Sequence, residues 1–324
     1  MYSREELTDL VGRGIAGLPC NNEAERLIEP VRYILSVGGK RLRPLMTLMS
    51  CNLFSDRPEE ALMPAIGLEV FHNFTLVHDD IMDNAHLRRG YPTVHEKWNL
   101  NQAILSGDVM AFIANECILQ APQESVIRVF RLYNRTATEV CVGQQLDMEY
   151  ERRPYVTLQE YLRMIELKTA VLLAACLKTG AIIGGSSDRD AGLMYEFGKN
   201  LGLAFQVQDD LLDVYADPGS FGKKTGGDIV SNKKTLLLIK ALETAQGEEL
   251  KRLQELISAR EFDPDQKVAE VREIYDSLGM KKLSEEIAGE YIGKAFGYFN
   301  EVAVKTDRKE NLLQLASGLI GRNM

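Results

Sequence analysis

Two stretches, Asp79-Asp80-Ile81-Met82-Asp83 and Asp209-Asp210-Leu211-Leu212-Asp213, share the pattern Asp-Asp-x-x-Asp inside otherwise apolar, helix-compatible sequence. On a helix, positions i and i+4 lie one above the other, so Asp79 stacks with Asp83 and Asp209 with Asp213. Three carboxylates in one turn repel one another. Neighbours as apolar as Phe74, Leu76, Val77, Ile81 and Met82 make that charge costly to hold without a cation. Hard cations such as Mg²⁺ take carboxylate oxygens and fill their other positions with water or phosphate oxygens. A lone motif of this kind is usually a solvated face; two copies in apolar settings point to a metal cluster that holds a phosphorylated ligand.

Outward from these turns the apolar residues keep spacings of three and four, as in Ile66, Val70, Phe74, Val77 and Ile81, and again in Met164, Leu167, Val171 and Ala174. That period is helical, and strict alternation is hard to find. Ser3-Arg4-Glu5-Glu6 and Thr157-Leu158-Gln159-Glu160 have the spacing of capping boxes. Gly and Pro punctuate the helices at Gly38-Gly39, Gly90-Tyr91-Pro92, Arg153-Pro154, Gly184-Gly185 and Asp217-Pro218-Gly219. No linker, repeat or composition shift divides the chain. The expected fold is all-α, one domain spanning residues 1–324, a large helical bundle with both Asp turns in a central cavity.

Composition bounds the alternatives. The 324 residues, 45% hydrophobic and 26% charged, are those of an ordinary globular chain. A net charge of -9 argues against a general nucleic-acid binder. No secretory leader is visible at Met1 to Glu6. The apolar stretch Ala170 to Gly185 is interrupted by Lys178 and falls short of the roughly 20 residues a bilayer needs, so it reads as a buried helix. Cys20, Cys51, Cys117, Cys141 and Cys176 are far apart, as expected of reduced thiols in a cytoplasmic protein.

Basic residues gather around turns. In Gly38-Gly39-Lys40-Arg41-Leu42-Arg43-Pro44 the glycines let backbone bend around an anion, Lys40 adds a point charge and Arg43 a planar fork. Pro44 is placed to open a helix from Leu45 to Asn52. All four histidines, His72, His78, His86 and His95, fall in one segment, but their spacings of six, eight and nine match no zinc pattern. His72 is two turns before Asp79, on the same face. Arg88-Arg89-Gly90 follows the first Asp turn. Asp108, within an apolar helix, reads as a satisfied core carboxylate. Gln144 and Asp147 share a helix face; Lys168-Thr169 interrupts an apolar helix, where a lysine ordinarily snorkels to water. Phe205-Gln206 leads into the second Asp turn, and Gly222-Lys223-Lys224-Thr225-Gly226-Gly227-Asp228, read as a flexible basic loop, and Lys233-Lys234-Thr235 follow it.

In this order the pieces resemble the trans-isoprenyl diphosphate synthases, the head-to-tail, short-chain prenyltransferases of farnesyl and geranylgeranyl type, over residues 38 to 235. The resemblance implies the isoprenoid synthase type I fold, a homodimer, and three Mg²⁺ ions between the Asp motifs. It implies that Asp79, Asp83 and Asp209 bind metal, with Asp80, Asp210 and Asp213 in or behind the same shell. Arg88, Lys168 and Lys223, aided by Lys233, would hold the allylic diphosphate; Gly39, Lys40, Arg43, His72 and Arg89 would hold isopentenyl diphosphate. Thr169, Gln206 and Gln144 would flank the developing cation, so the catalytic set is Lys168, Thr169, Gln206, Lys223 and Arg88. Phe74 and Thr75, one turn deeper than Asp79, would set product length, the aromatic acting as a floor and implying products of fifteen or twenty carbons. A class I terpene cyclase or a head-to-head synthase has no use for the second basic pocket at Gly38 to Arg43. A non-catalytic partner subunit would lack one of the Asp motifs.

Overall fold

Helix starts legible in the sequence are helix starts of the fold. In the computed structural model, which describes residues 2–18, 25–216 and 225–320, the Ser3 hydroxyl accepts from the Glu6 N–H and the Glu6 carboxylate from the Ser3 N–H. Thr157 and Glu160 do the same. Each exchange satisfies two orphan donors that a helix end leaves open.

The helices run α1 (Arg4–Ala16), α2 (Glu25–Ser36), α3 (Leu42–Phe54), α4 (Leu62–Met82), α5 (Val94–Lys97), α6 (Leu100–Ile118), α7 (Val126–Arg152), α8 (Leu158–Ile165), α9 (Val171–Ile183) and α10 (Asp188–Tyr215). Beyond the second Asp turn come Gly227–Val230, Leu236–Thr244, Gly247–Ser258, Pro264–Ser277, Met280–Glu301 and Thr306–Ile320. Among the described residues the strands are two dipeptides, β1 (Leu87–Arg88) and β2 (Tyr91–Pro92), paired antiparallel with Arg88 opposite Tyr91. The expected all-α class holds.

Two compact units emerge: Met1–Arg135 with Ala175–Tyr195 and Val302–Leu313, and Thr136–Ala174 with Glu196–Glu301 and Gln314–Met324. In the first, α4 packs along α6 and onto α3, burying Ile66, Leu68, Val70 and Phe71 against Met110 and Ala114. In the second, Tyr161, Met164, Ile165, Ala170, Leu203 and Val207 form one core cluster, and Leu211, Val214, Ile229, Leu237, Leu253 and Val271 belong to another. The apolar run read as a buried helix is one: Ala174, Ala175, Cys176 and Leu177 are fully buried.

Three local expectations are corrected. The helix expected to open at Pro44 begins at Leu42, behind Arg41 in the left-handed region at φ 46°; Pro44 sits inside the first turn, where its missing N–H has no intrahelical acceptor to lose. The turn expected at Gly90-Tyr91-Pro92 is centred on Arg89-Gly90, both at positive φ (54° and 80°), as a two-residue hairpin requires. Asp108 is exposed. It shares the outer face of α6 with Ile104, Leu105 and Phe112, the last 66% exposed, so the apolar company that suggested a core is itself on the surface. Gly222, Lys223 and Asp217-Pro218-Gly219 lie outside the described residues.

Candidate functional site

The first Asp turn closes α4. Met82 is its last residue and Asp83 its C-cap, whose N–H donates to the Asp79 carbonyl at 2.8 Å. Carboxylates here sit at the negative end of the helix dipole, which raises their need for a cation. The three acids divide. Asp80 is buried and gripped by Arg88, with Nε at 2.8 Å from both carboxylate oxygens and Nη2 at 2.6 Å from Oδ1. Burial pushes its pKa up and the guanidinium pulls it down. Asp79 is half-buried and Asp83 exposed. Their oxygens, i and i+4 on one face, suit a hard cation.

Cations gather in the same unit. Arg89 donates to the Gly38 carbonyl, and a Cβ on Gly39 would stand 2.6 Å from Arg89 Nη1, so a side chain there would displace the guanidinium, and Gly39 at φ 135° suits glycine in any case. Arg41 turns inward, pairing at 2.6 Å with Glu69, which is 3% exposed; it is spent on structure. Arg43 keeps a buried Nε with no hydrogen-bond partner. His72 titrates well below its ordinary value, first through burial and then through Arg43, Arg89, Arg88 and Arg41. It is therefore a neutral hydrogen-bonding group amid guanidiniums at neutral pH. Gly39, Arg43, His72, Arg88 and Arg89 are thus brought together. Lys40 lines a neighbouring cavity with Arg41.

Phe74 packs tilted against Phe71 and edge-on against His78, with ring centroids 5.5 and 4.8 Å away, and His78 Nε2 lies 3.3 Å from the Ile104 carbonyl. Thr75 donates to the His72 carbonyl at 2.8 Å. Phe74 is thereby held in an aromatic cluster one turn above the Asp motif.

The second unit carries the other half of the predicted set. Between α8 and α9 the chain makes one π-helical turn, Glu166–Ala170, a wide turn that often marks functional positions. Gly143 makes room for it, since a Cβ there would fall 2.3 Å from the Lys168 nitrogen. This turn presents Lys168 to Asp147 (2.6 Å) and the Thr169 hydroxyl to Gln206 Oε1 (3.0 Å). Gln206 in turn donates to Asp210 at 3.0 Å. Gln144 is buried on the Asp147 face.

Three residues that sequence reasoning missed complete this network. Tyr161, 1% exposed, donates to Asp210 at 2.6 Å; nothing in the local sequence signals a hydroxyl whose partner lies 49 positions away. Asp228, within what was read as a basic loop, donates its N–H to Asp213 at 2.9 Å. Its carboxyl is pushed up to about 7 by burial, against the pull of Lys233, and further by Asp210, Asp213 and Asp147. Lys233 Nζ stands 3.7 Å away. Lys267, 1% exposed, donates to Asn232 Oδ1 at 2.7 Å and lies 4.1 Å over the Phe262 ring. It ties down the segment that carries Asp228 and Lys233. A lone carboxylate after two glycines was the available signal for Asp228; Lys267 left none.

Among the described residues no group of three or more His, Cys, Asp or Glu side chains is arranged to hold a metal by itself. The carboxylates expected to bind metal, Asp79, Asp83 and Asp209, would offer oxygens alone, the kind Mg²⁺ takes while keeping waters and phosphate oxygens in its other positions.

Residues 24–278 match the polyprenyl synthetase family. The chain is 39% identical to a geranylgeranyl diphosphate synthase of Sulfolobus acidocaldarius over 93% of its length and 90% of the relative's. It is 36% identical to a short chain isoprenyl diphosphate synthase of Methanothermobacter thermautotrophicus, over 92% and 91%. It superposes on a crystal structure of a geranylgeranyl pyrophosphate synthase with a TM-score of 0.95 at 40% identity, covering 100% of both chains.

Proposed function

The chain belongs to the polyprenyl synthetase family, and on that premise we propose that it condenses isopentenyl diphosphate head-to-tail with allylic diphosphates. The product is a short all-trans prenyl diphosphate of fifteen to twenty carbons, geranylgeranyl diphosphate above all. The observation that carries this reading is the division of the first Asp turn: Asp80 is committed to Arg88, while Asp79 and Asp83 stay at the helix end, in the same unit as the Arg43, His72 and Arg89 cluster. That is a carboxylate set for metal beside a cation set for phosphate.

Asp79, Asp83 and Asp209 would ligate Mg²⁺, three ions on this reading, with Asp80, Asp210 and Asp213 supporting them. Bound there, Mg²⁺ would supply neutralising charge for the departing diphosphate. Arg88, Lys168, Lys223 and Lys233 hold the allylic diphosphate as its carbon–oxygen bond ionises, and charges already in place, as at Arg88 and Lys168, need no rearrangement during the step. The Lys168 ammonium is steered by Asp147 and keeps donors for phosphate oxygens. Gln206 has its amide plane locked, its oxygen accepting from Thr169 and its nitrogen donating to Asp210, so a carbonyl dipole remains aimed for the allylic cation, with Gln144 as a second one. Gly39, Lys40, Arg43, His72 and Arg89 bind isopentenyl diphosphate, whose double bond attacks that cation. The proton lost afterwards passes to the released pyrophosphate.

The exposed apolar face of α6, with Leu105 at 55% and Phe112 at 66% exposure, favours a homodimer, because an isolated chain rarely leaves such a stripe in water. Among the described residues no helix is long and apolar enough to cross a membrane. The Cys51 and Cys176 thiols are pushed up to about 12 by burial, inert groups that suit a cytoplasmic chain.

The test is incubation of purified protein with Mg²⁺, isopentenyl diphosphate and, separately, dimethylallyl, geranyl and farnesyl diphosphate, with products sized by chromatography. A twenty-carbon product that requires both substrates is expected. Hydrocarbon released from an allylic diphosphate alone would replace this reading with a cyclase.

A further inference from the structure

Away from every residue assigned above, four cations line one cavity of about 390 Å³ in the first unit: Arg128, Arg131 and Arg135 on α7 and Lys178 on α9. The arginines fall at spacings of three and four, so they rise along a single helix face. Lys178 comes from a second helix, α9, and it and Arg135 both lie against the Tyr195 ring, at 5.4 and 5.9 Å. Leu132 and Ile182 supply apolar lining, and the one carboxylate of the set, Asp188, is 90% exposed and pairs with Arg128 at the rim.

This arrangement runs against what the helix prefers for itself. Like charges three and four apart on a helix repel, and α7 has no acidic residue in its first turn, where a helix favours anions and Arg128 stands instead. The chain as a whole carries a net charge of -9, so a concave wall of four cations is a local concentration. Three guanidinium forks and an ammonium around a pocket of this size match an anion of several charges with many oxygen acceptors.

We propose that this cavity is a second phosphoanion site, binding a diphosphate group without a metal ion, and separate from the pockets of the proposed reaction. Two sources share that chemistry: free inorganic pyrophosphate and the diphosphate head of a prenyl chain, whose first carbons would meet Leu132 and Ile182. Either would let a product of the proposed reaction act on the protein from outside the reacting pockets, so that consequence rests on the proposed function; binding itself does not.

The test is equilibrium dialysis of radiolabelled pyrophosphate at low salt with EDTA, which silences sites that need a metal. The full chain is expected to bind two equivalents, one here and one at Arg43 and Arg89. Arg131→Gln/Arg135→Gln removes one equivalent, since each lost guanidinium–phosphate bond weakens binding roughly tenfold. Both positions are exposed, and thermal midpoint and turnover are expected to stay as in the parent. Arg43→Gln/Arg89→Gln removes the other equivalent, so failure of that pair bears on the proposed function and failure of the first pair on this site. Farnesyl diphosphate competing more tightly than pyrophosphate supports the prenyl source, and equal competition supports the free anion. Unchanged stoichiometry in Arg131→Gln/Arg135→Gln, or a single equivalent in the parent lost only on changing Arg43 and Arg89, overturns the proposal.

Discussion

Removing one oxygen, Tyr161→Phe, probes the network under the second Asp turn. The hydroxyl lies 2.6 Å from Asp210 Oδ2, in a setting where Tyr161 is 1% and Asp210 3% exposed, so no water replaces it. A hydrogen bond to a charged acceptor contributes about 1.5–3 kcal/mol, and a buried acceptor losing one of its donors forfeits most of that. Phenylalanine fills the same volume otherwise, so a loss of about 2 kcal/mol is expected without a cavity contribution. The loss depends on pH. Burial raises the Asp210 pKa, while Tyr161 and Gln206 lower it by hydrogen bonding to the carboxylate. A carboxyl raised above its unfolded value favours folding at low pH, an advantage lost as pH climbs through the folded pKa. Without the tyrosine donor the folded pKa rises further, so the variant pays more at high pH. Urea unfolding at pH 5 and pH 8, followed by circular dichroism, should show the larger deficit at pH 8. An equal deficit at both, or one below about 0.5 kcal/mol at pH 8, would refute the argument that Tyr161 stabilises an ionised Asp210.

Asp79→Asn and Asp209→Asn are each expected to cut turnover at least about a hundredfold, because a lost ligand forfeits several kcal/mol of charge stabilisation, with the far-ultraviolet spectrum unchanged. Phe74→Ala should lengthen the product, read by chromatography, by removing the aromatic that packs against Phe71 and His78. Lys267→Met frees Asn232 and with it the segment bearing Asp228 and Lys233; KM for the allylic diphosphate should rise about tenfold, since small displacements of positioning groups are costly, while KM for isopentenyl diphosphate stays within twofold of the parent, about the scatter of such measurements. Phe112→Asp places a charge in the exposed α6 face and should convert the proposed homodimer to a monomer by sedimentation, with α6 still folded.

The role of each of these residues depended on which face of its helix it took. Period and caps sufficed for the helices, since a capping box and an i, i+4 stripe are satisfied within one turn by residues adjacent in sequence. Hence α1, α4 and α8 were legible, and so was the stacking of Asp79 with Asp83. Asp108 was not, because an apolar stripe on α6 has the same spacing whether it meets a core or stays outside. The hairpin at Arg89-Gly90 shifted by one residue because two positive φ angles decide its centre, and Arg89 is held there through Gly38, some fifty positions earlier.

Sequence alone determined residue chemistry and local periodicity: an all-α chain, two acidic turns, and basic loops in an order shared with one family. Tertiary structure alone decided who meets whom. Arg41 went to Glu69 and Arg88 to Asp80, Tyr161 became a donor to Asp210, and Lys267 became the tether of Asn232. The reason is physical: a buried charge or hydroxyl must find a partner wherever packing puts one, and partners 28 or 49 positions away leave no periodic trace in the chain.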